Sequence, residues 1–381
     1  MNAHRPLAAT FSLLAIFSTL AGSARAQNVT TDPVGAITIT LKGNSDTFVS
    51  LPFHRPVALE TQVQSITGNV ITVGASANLT TSQFVYAGTQ ANVTSYYLQF
   101  TTGNRKGMFY SVTANDQTTI TVNPNGDANL DANVGTGDTF RVIPYWTLNT
   151  LFPNGQGINQ SGGFILNQRK SAIFFVDNVS SGINLSAAAS YFYYNGTPSG
   201  WRKAGDNANI TNDTPLYPDN YFFVRNSIAG DTQMTLVGAV PQSNYTTPLT
   251  TIAANTSQDI FIGVSVPVPV SLANSSLTLS GVFTQSTGFI LSQRGDQLFV
   301  FDNTNATINR SSVATYFYYN GGANGTSNGG PGWRLAGDPN GNTAIHDNDL
   351  IFQPGNGYIL RKKATATPQT VIWSFAPAYL P

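Results

Sequence analysis

Cysteine is absent from the 381 residues, so disulfides, thiol catalysis and cysteine-ligated zinc are excluded, and stability has to come from packing and backbone pairing. Charge is scarce as well: only 9% of the residues are Asp, Glu, Lys or Arg, and Glu60 is the single glutamate. There are 3 histidines, of which His54 and His346 lie beyond the N-terminal segment, and they leave almost no material for a His-based triad or metal site. After residue 26 no apolar run of about 20 residues follows, so no helical membrane span is expected. What abounds instead is Thr, Asn, Ser, Gly, Tyr and Phe, a balance that disfavours helices and favours strands and turns.

The N-terminal residues 1–26 read as an export signal. His4 and Arg5 form a short polar start, Leu7 to Ala21 an apolar run, and Ala24-Arg25-Ala26 a small-x-small cleavage site. The mature chain is then expected to start at Gln27 and to be extracellular, on the cell surface or in the periplasm. Without Arg5 and Arg25 the basic residues fall two short of the 18 acidic ones, so no basic field exists to attract nucleic acid or an anionic membrane.

One stretch occurs twice. Gly163-Phe164-Ile165-Leu166-Asn167-Gln168-Arg169, Phe174-Phe175-Val176-Asp177-Asn178, Tyr191-Phe192-Tyr193-Tyr194-Asn195-Gly196 and Gly200-Trp201-Arg202-Lys203-Ala204-Gly205-Asp206 return later in the chain. The second copies are Gly288-Phe289-Ile290-Leu291-Ser292-Gln293-Arg294, Phe299-Val300-Phe301-Asp302-Asn303, Tyr316-Phe317-Tyr318-Tyr319-Asn320-Gly321 and Gly332-Trp333-Arg334-Leu335-Ala336-Gly337-Asp338. The offset holds at 125 from Gly163/Gly288 to Asn195/Asn320 and becomes 132 at Trp201/Trp333. A seven-residue insertion in a Gly, Asn, Ser and Thr run therefore precedes Gly332, as suits an exposed loop tip.

Period-two alternation in Ala36 to Leu41 and Asp46 to Pro52 marks half-buried strands, and Asp259 to Pro267 is a related phrase ahead of the second copy. Between the first opening strand and Gly163 lie short strand-like runs at 69–73, 96–100, 107–112, 118–122 and 138–143, each bounded by Gly, Asn or Asp, which read as an inserted small barrel or meander. Trp146 to Phe152 could supply one helical turn. Asn195-Gly196 and Asn320-Gly321 predict a hairpin in each copy, and Ile173 to Val176 and Tyr221 to Val224 are apolar on both faces, as sandwich-core strands are. The expected fold is all-β. It has a first β-sandwich unit at 27–65 plus 145–241, an inserted β-module at 66–144, and a second sandwich at 242–381.

Polar residues present in both copies are Gln168/Gln293, Arg169/Arg294, Asp177/Asp302, Arg202/Arg334 and Asp206/Asp338. With so little charge in the chain, matched Arg and Asp residues point first to a structural bridge inside each unit, because a buried unpaired charge is costly. Phe164-Ile165-Leu166 reads as an apolar strand leading into Gln168-Arg169, which places the arginine inside. On that reading removal of Arg169 or Arg294 destabilises its own unit and leaves the other, sharing few contacts, nearly unchanged. The second reading is a ligand site of Trp201, Trp333, Arg202, Arg334, Asp206 and Asp338, with the tryptophans as a platform for a sugar ring.

Oxygen-bearing side chains alternate at Asn123, Asn125, Asp127, Asn129 and Asp131, and again at Asp338, Asn340 and Asn342, with Asp347 and Asp349 close behind. Calcium takes six to eight oxygens, so these runs are candidate calcium loops, although the terminal bidentate Glu of an EF-hand is missing and Asx residues also simply close turns. Gly325-Thr326-Ser327-Asn328-Gly329 has the spelling of a nucleophile elbow but no hydrophobic strand before it, and two Asp for glycoside hydrolysis have nothing in the sequence to set their pKa values apart. No catalytic residue is assigned.

Gly137 to Leu148 (GDTFRVIPYWTL), followed by Leu151-Phe152-Pro153 and the Gly-Trp-Arg segments, resembles an uncharacterised family of secreted β-rich proteins from Verrucomicrobia and related bacteria. The resemblance covers most of the mature chain and implies export and domain order, without an activity. The expectation is a non-enzymatic structural or adhesive protein of the cell surface or matrix, with surface glycans or matrix proteins as partners; the alternative is a carbohydrate-binding module built on the repeated Trp, Arg and Asp positions.

Overall fold

The computed structural model describes residues 32–127, 130–279 and 281–380, so the export-signal reading of 1–26 and the position of Asn129 lie outside it. Within these residues the chain is all-β, as its composition implies. In chain order the strands begin with β1 (Val34–Leu41) and β2 (Ser45–Ser50), then β3 (Leu59–Thr67), β4 (Val70–Val73), β5 (Tyr96–Phe100), β6 (Phe109–Asn115), β7 (Thr119–Val122) and β8 (Thr139–Pro144). After the short β9 (Trp146–Thr147) come β10 (Ser171–Phe175), β11 (Ala189–Tyr194), β12 (Gly200–Lys203), β13 (Pro215–Leu216), β14 (Tyr221–Asn226) and β15 (Thr232–Ala239). The second half holds β16 (Tyr245–Thr250), β17 (Gln258–Gly263), β18 (Gln297–Val300), β19 (Ala314–Tyr319), β20 (Gly332–Leu335), β21 (Gly357–Lys362) and β22 (Thr370–Phe375).

Each half is a five-stranded sheet covered by a two-stranded ribbon. The first sheet has the order β12-β11-β10-β14-β2 under the ribbon β1-β15, and the second has β17-β21-β18-β19-β20 under β16-β22. Ribbon and sheet bury their alternate apolar residues against each other: Leu41, Val49, Ile173, Trp201, Val224 and Leu236 in the first half, Leu249, Ile262, Leu298, Trp333, Leu360 and Trp373 in the second. The hairpins expected at Asn195-Gly196 and Asn320-Gly321 are present as β11-β12 and β19-β20. The strand β10 is central and apolar on both sides because its outer face is covered too. Phe174 stacks on Phe223 at 4.7 Å, and the Arg225 guanidinium lies over Phe174 at 5.1 Å.

The insert is a closed six-stranded barrel, β3-β4-β7-β6-β5-β8. Closure removes every free strand edge, and the inward residues Val63, Ile71, Leu98, Phe100, Ile120, Val122, Phe140 and Val142 fill the interior with no exposed surface. The barrel begins at Leu59, earlier than the position 66 expected from sequence, because β3 pairs with both β4 and β8. Past it, Leu148–Leu151 makes one helical turn whose N-terminus is capped by Thr147.

The two halves do not stand apart, contrary to the expectation that they share few contacts. The edge strand β2 of the first sheet meets the loop after β18, and the edge strand β17 of the second meets the loop after β10. Asn178 donates from Nδ2 to Phe261 O and accepts from Phe261 N, both at 2.8 Å, while Asn303 does the same for Phe48 at 2.8 and 3.0 Å. Each side-chain amide thus pairs with an edge strand as a neighbouring strand would. Beside it Asp46 bridges Arg225 at 2.7 Å and Asp259 bridges Arg361 at 2.6 Å, both carboxylates being buried. Asn309 of the second half donates its N–H to Asp46, and Asn184 of the first donates to Asp259, each asparagine in the left-handed conformation. Between these bonds the rings of Phe48, Tyr221, Phe261 and Phe301 pack, Phe48 and Phe301 at 4.5 Å.

Because the donors of one half satisfy the strands of the other, the halves should unfold together. In calorimetry Asn303→Ala is expected to lower a single transition by about 2–3 kcal/mol, since the buried backbone of Phe48 loses both partners. Arg225→Ala, which leaves Asp46 buried and unpaired, is expected to cost about 3–5 kcal/mol in the same single transition. Two separate transitions, or an unshifted one, would show that the interlock contributes nothing.

Candidate functional site

The repeated arginines turn out to be structural, but they do not bridge to the matched aspartates. Arg169 donates from Nε and Nη2 to Phe164 O at 2.9 and 2.6 Å and lies 4.6 Å over Phe192; Arg294 donates to Phe289 O at 2.9 Å and lies 4.8 Å over Phe317. The Phe-Ile-Leu segments before them are not strands. They lead into single 3-10 turns, Leu166–Gln168 and Leu291–Gln293, and their aliphatic residues are exposed. Gln168 and Gln293 fold back over Gly163 and Gly288, where any Cβ would collide with the glutamine.

The second set fares similarly. Trp201 and Trp333 are buried in the cores, against Phe152 and Tyr193 in one half and Phe283 and Tyr318 in the other, so neither indole can offer a face to a sugar. Arg334 is buried with carbonyls of Asn342, Gly330, Asn328 and Trp333 around it, Gly330 standing where Pro198 stands in the first copy and Asn328 lying in the loop that the insertion lengthens. Arg202, equally buried, donates to Pro198 O at 2.7 Å. Asp206 is held by Asn209, and Asp177 and Asp302 cap the turns that follow them. Asp338 accepts from His346, whose other ring nitrogen meets Asp349. Burial pulls the His346 pKa down, but the two carboxylates outweigh it and raise it.

The alternating oxygens do not converge either. Asp127 is taken by Arg105 at 2.6 and 2.8 Å and by the Tyr110 hydroxyl at 2.8 Å. Asn123 accepts from the Asn125 N–H and Asp131 from the Gly68 N–H, while in the second run Asp338 accepts from the Asn340 N–H and Asn342 gives its carbonyl to Arg334. Among the described residues no group of three or more His, Cys, Asp or Glu is placed to hold a metal. At Asn123 and Asp338 the Asx spacing closes turns.

What the structure does assemble is a cleft between the barrel, the β13–β14 turn of the first half and the β16-β22 ribbon of the second. Two lobes of about 430 and 230 Å³ share Phe109, Tyr110, Asn125, Asp219 and Pro248. A third, apolar lobe of about 230 Å³ adjoins through Asn178, Val179, Tyr217 and Asn220. Asp219 stands where all three walls meet. Burial pushes its carboxyl up to about 6, against the pull of the Thr247 hydroxyl, which donates to it at 3.0 Å. Burial likewise raises the phenols of Tyr217 and Tyr110, each with an aspartate adding to the effect.

The turn carrying Asp219 has a twin. Tyr217-Pro218-Asp219-Asn220 precedes β14 as Gln353-Pro354-Gly355-Asn356 precedes β21, and each gives its third carbonyl to the other half's edge strand: Asp219 O to Gly263 N at 2.8 Å, Gly355 O to Ser50 N at 2.9 Å. Glycine suffices for that bond, with φ at 80°, and a Cβ there would come within 2.8 Å of Ile37 and 3.0 Å of Ile39. Where one half has aliphatic side chains packed against a glycine, the other has a carboxyl facing a cleft. Asp219 was missed in the sequence; the signal was the Asp opposite Gly in two otherwise parallel Pro turns.

Chemically the cleft offers a carboxyl without an ion-pair partner at Asp219, phenol and amide groups, and ring faces. Asp127 is bound to Arg105 and Asp259 to Arg361, so neither serves as a second free carboxylate of the kind glycoside hydrolysis requires. Comparison with protein-family models, with curated proteins and with solved structures finds no match to the chain.

The Asp219 carboxyl gives a signed pH dependence. Its folded pKa lies above the ordinary value near 4, so ionisation costs the folded state stability as pH rises from about 4 to 6, and the cost stays constant above that. Asp219→Asn keeps the acceptor for Thr247 and removes the charge. It is therefore expected to be more stable than wild type by up to about 3 kcal/mol at pH 8 and equal to it near pH 3.5. Denaturant melts at both pH values check this; a difference independent of pH would contradict the assignment.

Proposed function

We propose that the chain is an exported, non-enzymatic structural or adhesive protein of the cell surface or extracellular matrix. The observation that carries this reading is a pair of apolar tips. Ile165 and Leu166 are 60% and 81% exposed, and Ile290 and Leu291 are 62% and 70% exposed, at the same place in both halves. Adjacent exposed aliphatics held on a fixed turn are the mark of a contact surface rather than of scattered surface residues. The fixing is done by Arg169 and Arg294, whose guanidinium groups tie each tip's backbone to an aromatic ring below.

The tips hold matching places in the two halves. Each precedes β10 or β18, and the opposite end of that strand carries the Asn178 or Asn303 that grips the other half. A molecule with two such tips on one interlocked body can engage a partner surface at two places. The apolar run Leu7 to Ala21 with Ala24-Arg25-Ala26 and the resemblance to secreted proteins support export, with matrix proteins or surface glycans as partners.

The test is retention of the labelled mature chain on a bacterial cell-envelope fraction. Leu166→Ser with Leu291→Ser should lower retention about tenfold or more, since two leucines each worth about 1.5–3 kcal/mol of burial are lost from the contact. The exposed positions should leave stability within about 0.5 kcal/mol of wild type. Each single substitution should keep part of the effect, as bivalent contact requires. Equal retention of wild type and the double variant would reject this function.

A further inference from the structure

We propose that the cleft around Asp219 is a binding site for a neutral, hydroxyl-rich ligand, a saccharide segment, held between the barrel and the β16-β22 ribbon. The proposal does not rest on the adhesive reading, because tips and cleft are built from different residues.

Three features of the cleft point to that ligand class. The first is size and place. The larger lobe, about 430 Å³, falls in the range of small-ligand sites, and junctions between structural units are where such sites concentrate.

The second is charge. Among the described residues Asp219 has no ion-pair partner, and Thr247 is its only side-chain donor. The nearby Arg105 is neutralised by Asp127. A lone carboxylate in the cleft repels phosphate, sulfate and acidic peptides, and it has lone pairs left over for hydroxyl donors. The other charged groups of the wall are paired, Asp259 with Arg361 and Asp127 with Arg105, and the rest of the polar lining is neutral, with exposed amides at Asn123 and Asn125 and the Thr250 hydroxyl at the ribbon end. Amides and hydroxyls both donate and accept, as sugar hydroxyls do.

The third is the ring surface. Tyr217 is 40% exposed and Phe109 half-buried, so unlike Trp201 and Trp333 they can offer faces to the apolar side of a sugar ring.

Asp219 is also dispensable to the fold, since the twin turn makes the same inter-half bond with Gly355. Burial makes its ionised form a burden on stability. A side chain that the backbone does not need, and that works against stability, is where function is to be sought.

The experiment is an array of neutral oligosaccharides printed beside sulfated ones, probed with the full mature chain, followed by calorimetric titration of the best-retained neutral glycan. Retention of neutral over sulfated glycans is expected. Asp219→Ala and Tyr217→Ala should each weaken the titrated glycan about ten- to hundredfold, the loss of a charge-assisted hydrogen bond or a stacking face. Thermal melts of both variants establish that they fold. The Leu166→Ser, Leu291→Ser variant should bind the glycan as wild type does, which separates failure of the cleft from failure of the tips. No retained neutral glycan, preference for sulfated ones, selective binding of spermidine instead, or undiminished affinity in folded Asp219→Ala would each overturn the proposal.

Discussion

An edge strand is a row of backbone donors and acceptors without partners, and one edge of each five-stranded sheet, β2 and β17, is covered at its middle by an asparagine side chain of the other half and beside it by carbonyls of that half. Asn178 reads the backbone of Phe261 and Asn303 that of Phe48, in the same two-bond pattern. The rest of the inter-half geometry follows from those amides. Asn178 also donates to the Asn220 side chain, which ties the β13–β14 turn to the same contact, next to Asp219 facing Thr247. The two amides enclose the Asp46–Arg225 and Asp259–Arg361 pairs, whose carboxylates are buried and would be costly if either sheet slid away.

Much of the fold was legible from local chemistry. Short strand-like runs bounded by Gly, Asn or Asp located five of the six barrel strands within two or three residues, with Tyr96–Phe100 in place at both ends, whereas β3 was not foreseen. The duplicated spacing placed β10 to β12 against β18 to β20, and Asn-Gly placed the hairpins. The site was far less legible, because its bonds join residues far apart in sequence. Arg225 finds Asp46 across 179 positions and Asn303 finds Phe48 across 255. The motif arginines were expected to choose aspartates and chose carbonyls five residues upstream. For a guanidinium above an aromatic ring, a carbonyl in a tight turn satisfies the donors without the desolvation of a second charge.

The alternating Asn and Asp runs mislead for a related reason. A side-chain oxygen two residues before a backbone N–H closes an Asx turn, and the same spacing would present oxygens to a cation. The direction of each oxygen distinguishes the two, and here Asn123 and Asp338 accept from N–H groups two residues on, while Asp131 accepts from the distant Gly68 N–H. The tryptophans misled through composition. A Trp beside Arg in a charge-poor chain suggests a platform, yet Gly200 and Gly332 start strands that turn the indoles inward, where Phe152 and Phe283 await them.

The reciprocal grip of the two halves has the form of an isologous contact: each presents the same patch, an edge strand with an asparagine-bearing loop, to the other. Such contacts are complete at two members, unlike head-to-tail ones, which leave a free end of each kind and propagate. Within one chain this means that a third copy of the unit would find neither a bare β2-type edge nor a free asparagine loop. The duplication is self-limiting by geometry.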